Sequence, residues 1–178
     1  MSLDGYVEDA SGGIDWTVPD EELHRFVNEL VRPLGTHLYG RRMYETMLYW
    51  DTQEAMNHPS PFMRDFATIW QPAEKVVYSA TLQSVPTART RLERAFDPSA
   101  VARMKEDSPS DLIVGGATLA SAALSAGLID EINLFTVPIL LGGGKSYLST
   151  PEPVPLTLLD IHRFASGAVY TRYRVGLS

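Results

Sequence analysis

The sequence predicts an α/β fold with a mostly parallel sheet, because short apolar strand segments alternate with amphipathic helical segments over most of the chain. The chain then finishes in a β-rich segment, where Val169, Thr171, Tyr173 and Val175 alternate with residues that form a more polar face. Its 178 residues suit one domain, and neither an internal repeat nor a flexible linker divides them. We therefore expect a single domain over residues 1–178.

The first half of the chain contains three expected helices and two expected strands. The first helix begins near Pro19, which fits a first turn, and its start is favoured by the acids at 20–22. Its apolar stripe recurs every three or four residues up to Val31, and Pro33 and Gly35 then end it. The remaining elements are expected in this order: a strand over 36–39, a helix over 41–50, a helix from Pro59–Pro61 to Trp70, and a strand over 74–79.

The second half repeats the alternation. Residues 87–96 are compatible with a strand, and Asp97-Pro98 is a cap and first-turn pair that predicts a helix over 97–105. A buried strand over 111–114 runs into a glycine pair and a helix over 117–126. Strands over 132–137 and 169–175 complete the expected elements.

Composition excludes several classes of protein. The chain has no cysteine, which removes disulfides, thiolate nucleophiles and Cys-based metal sites and fits a reducing, cytoplasmic location. A net charge of −7 argues against a general binder of nucleic acid or anionic membranes. The four histidines lack ligand-like spacing, so we expect no metal. The uncharged stretch 112–129 reads as a strand, a glycine turn and a helix rather than a membrane span.

Two junctions between a strand and a helix are candidates for binding phosphate. Gly40 is followed by Arg41 and Arg42, and arginine offers a fork of donors suited to phosphate, although two solvated surface arginines are an equally weighted interpretation. The pair Gly115-Gly116 would let a ligand approach the backbone, but an ordinary tight turn is the more frequent explanation. The G-x-G-x-x-G dinucleotide fingerprint is missing there.

Two further positions have a structural and a chemical interpretation. Ser79 at a strand end could bind a phosphate, although serine at such a place more often caps the strand. Among the acids at 20–22, Glu22 lies at the edge of the apolar stripe, so we expect it to be the most shielded. A role in capping or in the helix dipole is the favoured alternative for these acids.

Taken in order, the motifs resemble the dihydrofolate reductase superfamily over nearly the whole chain. The resemblance is closest to the reductase domain of the riboflavin-pathway deaminase–reductase. The motifs that carry it are Ser2-Leu-Asp-Gly-Tyr6, Asp15-Trp16, Leu38-Tyr-Gly-Arg-Arg-Met-Tyr-Glu45, Val76-Val-Tyr-Ser79, Asp111-Leu-Ile-Val-Gly-Gly-Ala117, Ile129-Asp-Glu-Ile132 and Pro138-Ile-Leu-Leu-Gly-Gly143. The resemblance implies a dihydrofolate reductase-like three-layer fold, with helices on both faces of the sheet and an antiparallel C-terminal hairpin.

The resemblance also implies NADPH as cofactor and places it residue by residue. Phosphate binding falls on Gly40, Arg41 and Arg42, and a serine near the adenosine phosphate falls on Ser79. The turn that binds the pyrophosphate falls on Gly115, Gly116, Ala117, Thr118 and Leu119, and a position near the nicotinamide falls on Val114. The loop Asp4–Val7 would close over the nicotinamide, which makes Val7 a cofactor contact. The family's Gly-Arg-x-Thr reads Gly40-Arg-Arg-Met43 here, so one phosphate-binding hydroxyl is missing.

On the substrate side, the resemblance implies an acid at Glu22, with Thr136 as its hydrogen-bond partner and Trp16 nearby. Asp4 is a further candidate for proton transfer. The expected activity is reduction of a pteridine- or pyrimidine-type heterocycle, as in 5-amino-6-(5-phosphoribosylamino)uracil reduction. Dihydrofolate reduction and a non-enzymatic module that binds a nucleotide or a partner are the alternatives.

The resemblance carries two further expectations. The family's first strand would precede Ser2, so we expect about seven residues before the given start. A homodimer is also expected, with apolar surface from 132–141 and 169–175.

Overall fold

The structure is a computed structural model that describes residues 1–176. It divides into two compact units, whose boundaries fall within two helices. The parallel-sheet unit comprises His24–Leu119, and the antiparallel-sheet unit comprises Met1–Leu23 together with the chain from Ala120 onward. Within residues 1–176, no helix combines the length and the apolarity needed to cross a membrane.

The elements are as follows in chain order. The strands are β1 (Tyr6–Glu8), β2 (Thr36–Gly40), β3 (Glu74–Tyr78), β4 (Thr90–Glu93), β5 (Leu112–Gly115), β6 (Glu131–Thr136), β7 (Lys145–Ser146), β8 (Leu156–Arg163) and β9 (Val169–Val175). The α-helices are α1 (Glu21–Val31), α2 (Arg41–Met47), α3 (Gln53–Met56), α4 (Pro61–Trp70), α5 (Pro98–Asp107) and α6 (Ala117–Ser125). Short 3₁₀ helices cover Asp15–Thr17 and Leu48–Asp51.

The parallel-sheet unit is built on four parallel strands in the order β4-β3-β2-β5. On one face, Tyr39 and Val77 pack with Tyr44, Phe66 and Trp70 of α2 and α4 to form the core. On the other face, the cavity beneath α5 is lined by Tyr78 of β3. Helices therefore cover both faces of this sheet, and both central strands are buried, as is usual for parallel sheets.

A buried polar network lies inside this core. The Lys75 ammonium donates to the carbonyl oxygens of Trp70, Gln71 and Ala73 at 2.7–3.2 Å and lies 4.3 Å from the Trp70 ring centroid. The Tyr39 hydroxyl accepts from the Trp70 indole at 3.1 Å and lies 2.7 Å from His37 Nδ1. Burial, and then the nearby Lys75 charge, lowers the pKa of His37 to about 4, so this imidazole is neutral at pH 7.

The antiparallel-sheet unit contains a three-stranded sheet in the order β6-β9-β8 and a two-stranded pair of β1 with β7. A β-bulge interrupts the pairing of β8 with β9 between Leu158 and Asp160. The start of the chain runs parallel to the end of β6, where Ser2 bridges Val137.

The predicted fold class is confirmed: a parallel sheet lies between helices, and β8 with β9 forms an antiparallel C-terminal hairpin. Several elements differ from the expectation. The helix expected over 41–50 ends at Met47 and continues as a 3₁₀ turn, and α3, β1, β7 and the bounds of β8 were not predicted.

Candidate functional site

The parallel-sheet unit has a topological switch point at β2. From β2 the chain continues to β3 and β4 on one side, and it returns to β5 on the other side. In open parallel sheets, ligands bind outside the carboxyl ends of the strands at such a point. The residues that follow β2, β3 and β5 therefore define the candidate site: Gly40–Arg42, Ser79 and Gly115–Ala117.

Gly40 ends β2 without any structural need for glycine. Its backbone is extended, with φ −73° and ψ 162°, a conformation that any residue adopts. A Cβ built on Gly40 would meet no heavy atom within 4 Å. Open space therefore lies directly beside the backbone at the switch point, where a ligand could approach closely.

Two exposed arginines follow Gly40. The guanidinium of Arg41 lies 4.0 Å from the Glu45 carboxylate on the next turn of α2, and half of the Arg41 side chain is exposed. Such an exposed pair at this distance is weak, so Arg41 can turn toward an anion at small cost. Arg42 is exposed on the same first turn. Together they bring two positive charges to the edge of an acidic chain.

Ser79 is buried just after β3, and its hydroxyl oxygen accepts from the amides of Thr81 and Leu82 at 3.3 and 3.0 Å. The hydroxyl therefore closes a turn, as the structural interpretation expects, while its proton remains available for donation. Arg94, which was not predicted from the sequence, follows β4 and donates to the carbonyl oxygens of Leu82 and Ser79 at 2.5 and 3.4 Å. The signal for Arg94 is its place after a strand that runs parallel to β3.

The glycine pair after β5 has structural reasons of its own. A Cβ at Gly115 would lie 2.9 Å from the Tyr39 ring, and Gly116 has a φ of +99°. Val114 is half-buried within β5, and Ala117, Thr118 and Leu119 form the first turn of α6. Packing and backbone conformation therefore explain this pair without a ligand, in contrast to Gly40.

The unit also contains a cavity of about 530 Å³ beneath α5, lined by charged residues that include Arg91, Glu93 and Arg103. It extends from Thr36 at the amino end of β2 to Tyr78 and Glu93 at the carboxyl ends of β3 and β4. Its lining includes none of the residues Gly40–Arg42, Ser79 and Gly115–Ala117 that define the candidate site, although Tyr78 directly precedes Ser79.

In the antiparallel-sheet unit, the predicted proton donor Asp4 holds a loop together. Its carboxylate accepts from the amides of Leu141 and Gly142 at 2.7–3.1 Å. Hydrogen bonding, first from the Ser2 hydroxyl and then from the Gly142 amide, lowers the pKa of Asp4. Asp4 is therefore ionised at neutral pH, which suits an anchor better than a proton donor.

Glu22 is exposed, which differs from the expected shielding, because it lies in the first turn of α1 with half of its side chain in solvent. One carboxylate oxygen accepts from the Ala165 amide at 3.0 Å, and the other lies 4.0 Å from His162 Nε2. These contacts tie α1 to the turn between β8 and β9. Thr136 ends β6 opposite Val169, and among residues 1–176 it is not a hydrogen-bond partner of Glu22.

The remaining predicted residues lie in short local structures. Val7 is half-buried in β1, and the Trp16 indole donates to the Gly13 carbonyl at 3.3 Å within a 3₁₀ turn. Tyr147 was not predicted from the sequence, and its amide donates to the carbonyl of Gly5, within the loop Asp4–Val7, at 2.9 Å. Burial raises the pKa of the Tyr147 phenol to about 12, so it is a neutral donor.

The predicted site residues thus fall into two groups. The parallel-sheet unit carries every predicted cofactor residue except Val7, and the antiparallel-sheet unit carries Val7 and the predicted catalytic and substrate residues. Within the described chain, no three Asp, Glu or His side chains converge in a metal-ligand group.

Comparisons with known proteins agree with this fold. The uncharacterized protein YyaP of Bacillus subtilis (strain 168) is 24% identical over 175 residues, which is 97% of this chain and 90% of that protein. The crystal structure of a putative riboflavin biosynthesis protein from Shewanella sp. PV-4 is similar with a TM-score of 0.75 and 23% identity, over 99% of this chain and 96% of that chain.

A dihydrofolate reductase from Enterococcus faecalis, solved with NADP(H), has a TM-score of 0.65 and 10% identity, over 98% of this chain and 92% of that chain. At these identities, the structures establish the shared fold. The family described as the RibD C-terminal domain matches residues 1–170. The chain therefore belongs to the RibD C-terminal domain family.

Proposed function

We propose that this protein is an NADPH-dependent reductase of a small pteridine- or pyrimidine-type heterocycle, similar to 5-amino-6-(5-phosphoribosylamino)uracil reductase, and that it acts as a cytoplasmic homodimer. One observation carries the proposal. The switch point of the parallel sheet combines open space beside Gly40 with the charges of Arg41 and Arg42. A cofactor rich in phosphate needs both features.

The residues at the carboxyl edge fit the cofactor in kind. Arg41 and Arg42 would hold its phosphate groups through charge-assisted hydrogen bonds, and Ser79 would donate its hydroxyl proton. Arg94 would keep the turn after Ser79 in place. When bound, NADPH would supply the hydride, so the protein has only to orient the substrate and provide a proton.

The proton would come through Glu22 or solvent. The exposed Glu22 carboxylate can exchange protons with water, whereas Asp4 is held as an anion by two backbone amides. In this proposal Asp4 positions the loop next to Val7, and Thr136 and Trp16 contribute to the substrate side.

Binding tests the cofactor half of the proposal. Replacing Arg41 and Arg42 by Ala should weaken NADPH binding by about 10²-fold, because two charge-assisted bonds are lost, and should weaken NADH binding much less. Calorimetric titration of the full chain with NADPH and with NADH measures both affinities. Arg103→Ala on α5 is the matched control and should leave both affinities unchanged. Equal loss for both cofactors would contradict a role at the 2′-phosphate.

Turnover tests the proton path. Glu22→Gln should lower NADPH oxidation with a pyrimidine or pteridine substrate by about 10²-fold or more if Glu22 is a general acid. Glu21→Gln on the same turn is the control. Unchanged turnover in Glu22→Gln would assign the proton to Glu21, Asp4 or solvent.

A second candidate is a non-enzymatic module that binds the nucleotide. The exposure of Glu22 and the anchoring of Asp4 favour it, because neither acid lies in the shielded surroundings that are typical of a catalytic proton donor. NADPH binding without turnover of pterin, dihydrofolate and aminopyrimidine substrates would support this candidate.

A further inference from the structure

We propose that the cavity beneath α5 is a second binding site, which takes a nucleoside monophosphate with a guanine-type base. The cavity is a groove between α5 and β4, the edge strand of the parallel sheet, and its volume is about 530 Å³. This volume lies within the range of pockets that hold small ligands. Both walls of the groove belong to the parallel-sheet unit.

The groove opens on the opposite face of the sheet from the helix that carries the switch-point arginines. Val77 of β3 packs in the core with Tyr44 of α2, the helix that begins at Arg41. Successive side chains of a strand point to opposite faces, so Tyr78 points away from α2 and toward α5. Glu93 is the register partner of Tyr78 on β4 and lines the same groove. A ligand in the groove and a cofactor at the switch point would therefore lie on different faces.

The carboxyl end of the groove offers two carboxylates and one neutral hydroxyl. Glu93 and Asp97 line this end, and one Asp97 oxygen caps α5 by accepting from the Ser99 amide at 2.9 Å. Burial raises the pKa of Tyr78, the Arg91 charge has a smaller opposite effect, and the Glu93 and Asp97 charges raise this pKa further. The Tyr78 phenol is therefore a neutral group beside two anions, and it can donate to a carbonyl oxygen.

These groups match the edge of a guanine-type base. Guanine presents a carbonyl oxygen, a ring N–H and an exocyclic amine side by side. The Tyr78 hydroxyl would donate to the carbonyl oxygen, and the carboxylates of Glu93 and Asp97 would accept from the two nitrogens. Adenine has an acceptor nitrogen in place of the ring N–H, and a carboxylate repels an acceptor. The carboxyl end of the groove therefore favours guanine over adenine.

Two arginines line the middle of the groove, one from each wall. Arg91 precedes Glu93 by two residues on β4, which corresponds to about 7 Å. Arg103 follows Asp97 by six residues along α5, which corresponds to about 9 Å. A nucleoside monophosphate separates its base edge from its phosphate by a similar length, so the phosphate would reach both guanidinium groups.

The ion pair across this part of the groove is weak enough to open for a ligand. The Arg91 guanidinium lies 3.2 Å from the Glu93 carboxylate, and both side chains are about half exposed. Exposed pairs of this kind contribute little to stability. Arg91 can therefore turn to a phosphate while Glu93 turns to the base.

Asp107 limits the length of the ligand. It lines the cavity one helical turn beyond Arg103, toward the end where Thr36 begins β2. A second or third phosphate would extend from the arginines toward this carboxylate and be repelled by its charge. The groove therefore favours a monophosphate over a triphosphate.

Affinities of the wild-type chain for a set of nucleotides test the site without any variant. By calorimetric titration, GMP should bind about 10-fold or more tightly than AMP, because AMP places an acceptor against a carboxylate. GTP and guanosine should also bind at least about 10-fold more weakly than GMP, because GTP meets Asp107 and guanosine lacks the phosphate. Equal affinities for GMP and AMP, or no GMP binding up to millimolar concentration, would overturn the inference.

Variants place the binding in the groove. Glu93→Gln should narrow the preference for GMP over AMP, because an amide can donate to the adenine nitrogen. Arg91→Ala should weaken GMP and AMP alike by about 10-fold, because it removes a charge from the phosphate. Glu106→Gln on α5, outside the cavity lining, and Arg163→Ala on β8 are the matched controls and should keep the wild-type affinities. An unchanged ratio in Glu93→Gln, with circular dichroism showing the fold intact, would contradict the assigned base contact.

Saturation with NADPH separates this site from the proposed cofactor site. The affinity for GMP should be the same with and without NADPH, because the two sites lie on different faces of the sheet. Competition between GMP and NADPH would place GMP at the switch point and overturn the inference. A chain that binds GMP through Arg91 but binds no NADPH would overturn the proposed reductase and leave the second site standing.

Discussion

The two units of the chain bury their apolar side chains to different extents. In the parallel-sheet unit, Tyr39 on β2 and Val76 and Val77 on β3 are at most 3% exposed, because helices cover both faces. In the antiparallel-sheet unit, Leu158 and Ile161 on β8 remain more than half exposed. Helices of its own unit cover the parallel sheet, whereas the antiparallel sheet leaves apolar side chains exposed on its edge strand β8.

In the proposed function, this difference corresponds to a division of tasks. A sheet with a filled core can hold the residues at its carboxyl edge in fixed positions, as the proposed cofactor binding requires. The antiparallel-sheet unit instead carries segments anchored by a few polar contacts, such as Asp4 with the amides of Leu141 and Gly142 and Glu22 with the amide of Ala165. Such segments suit the substrate side that we propose for this unit, because loops tolerate changes in sequence.

The largest effect is expected from truncation inside the parallel-sheet core. Trp70→Ala should lower the free energy of unfolding by about 3–5 kcal/mol, since Trp70 is fully buried and donates to Tyr39. Leu158→Ala on β8 should cost less than about 1 kcal/mol in a dilute monomer, because its side chain is already in solvent. Urea unfolding measures both. Similar losses would contradict the contrast between the units.

The next effect depends on pH and arises from His37. Its pKa is about 4 in the folded chain and near 6.5 when unfolded, so the unfolded state binds more protons between these values. The contribution of neutral His37 to the free energy of unfolding is therefore fully present above pH 6.5. It is lost as the pH falls toward 4, and it amounts to roughly 3 kcal/mol for this shift.

The measurement is urea unfolding at pH 7 and pH 4.5. His37→Gln should reduce the difference in unfolding free energy between the two pH values. Burial also lowers the pKa of His24, so His24 contributes a pH dependence of the same sign to the wild type and to His37→Gln. Parallel pH profiles of the wild type and His37→Gln would show that His37 does not drive the acid sensitivity.

Regular periodicity made much of the fold predictable, and irregular backbone hid the rest. The apolar repeat of α1 and the alternation of β9 appear directly in the sequence. The bulge in β8 breaks the period of two at Leu159, so a strand with four exposed aliphatic residues was not identified. The homodimer surface expected on 132–141 and 169–175 stays a prediction.

The candidate site shows the same limit. Gly40 and Arg41 could be selected because both lie at one junction in the sequence. Arg94 could not, because its proximity to Ser79 depends on the parallel pairing of β3 with β4. The exposure of Glu22 likewise depends on where the turn after β8 lies. Local signals identify residues, and only tertiary pairing brings them together.

A moderate effect is expected from Gly115→Ala. The added Cβ would lie 2.9 Å from the Tyr39 ring, so the core must shift, at a cost of about 1–3 kcal/mol. Urea unfolding at pH 7 measures the loss. The same substitution in a Tyr39→Leu background should cost less than it does in the wild type, because the smaller side chain removes the close ring atoms. An equal cost in both backgrounds would assign the loss to the backbone rather than to packing against Tyr39.

The smallest effect on stability is expected from Gly40→Ala, and this makes the variant informative. The backbone is extended and the added methyl meets nothing within 4 Å, so the free energy of unfolding should change by less than about 0.5–1 kcal/mol. If a cofactor approaches this backbone, the same methyl should weaken NADPH binding by about 10-fold or more. A loss of about 1.4 kcal/mol in binding free energy is enough for that change. Calorimetric titration of NADPH into Gly40→Ala, together with urea unfolding of the same variant, separates the two outcomes. Unchanged affinity for NADPH in Gly40→Ala would mean that the space beside β2 is solvent, and that Arg41 and Arg42 are surface charges.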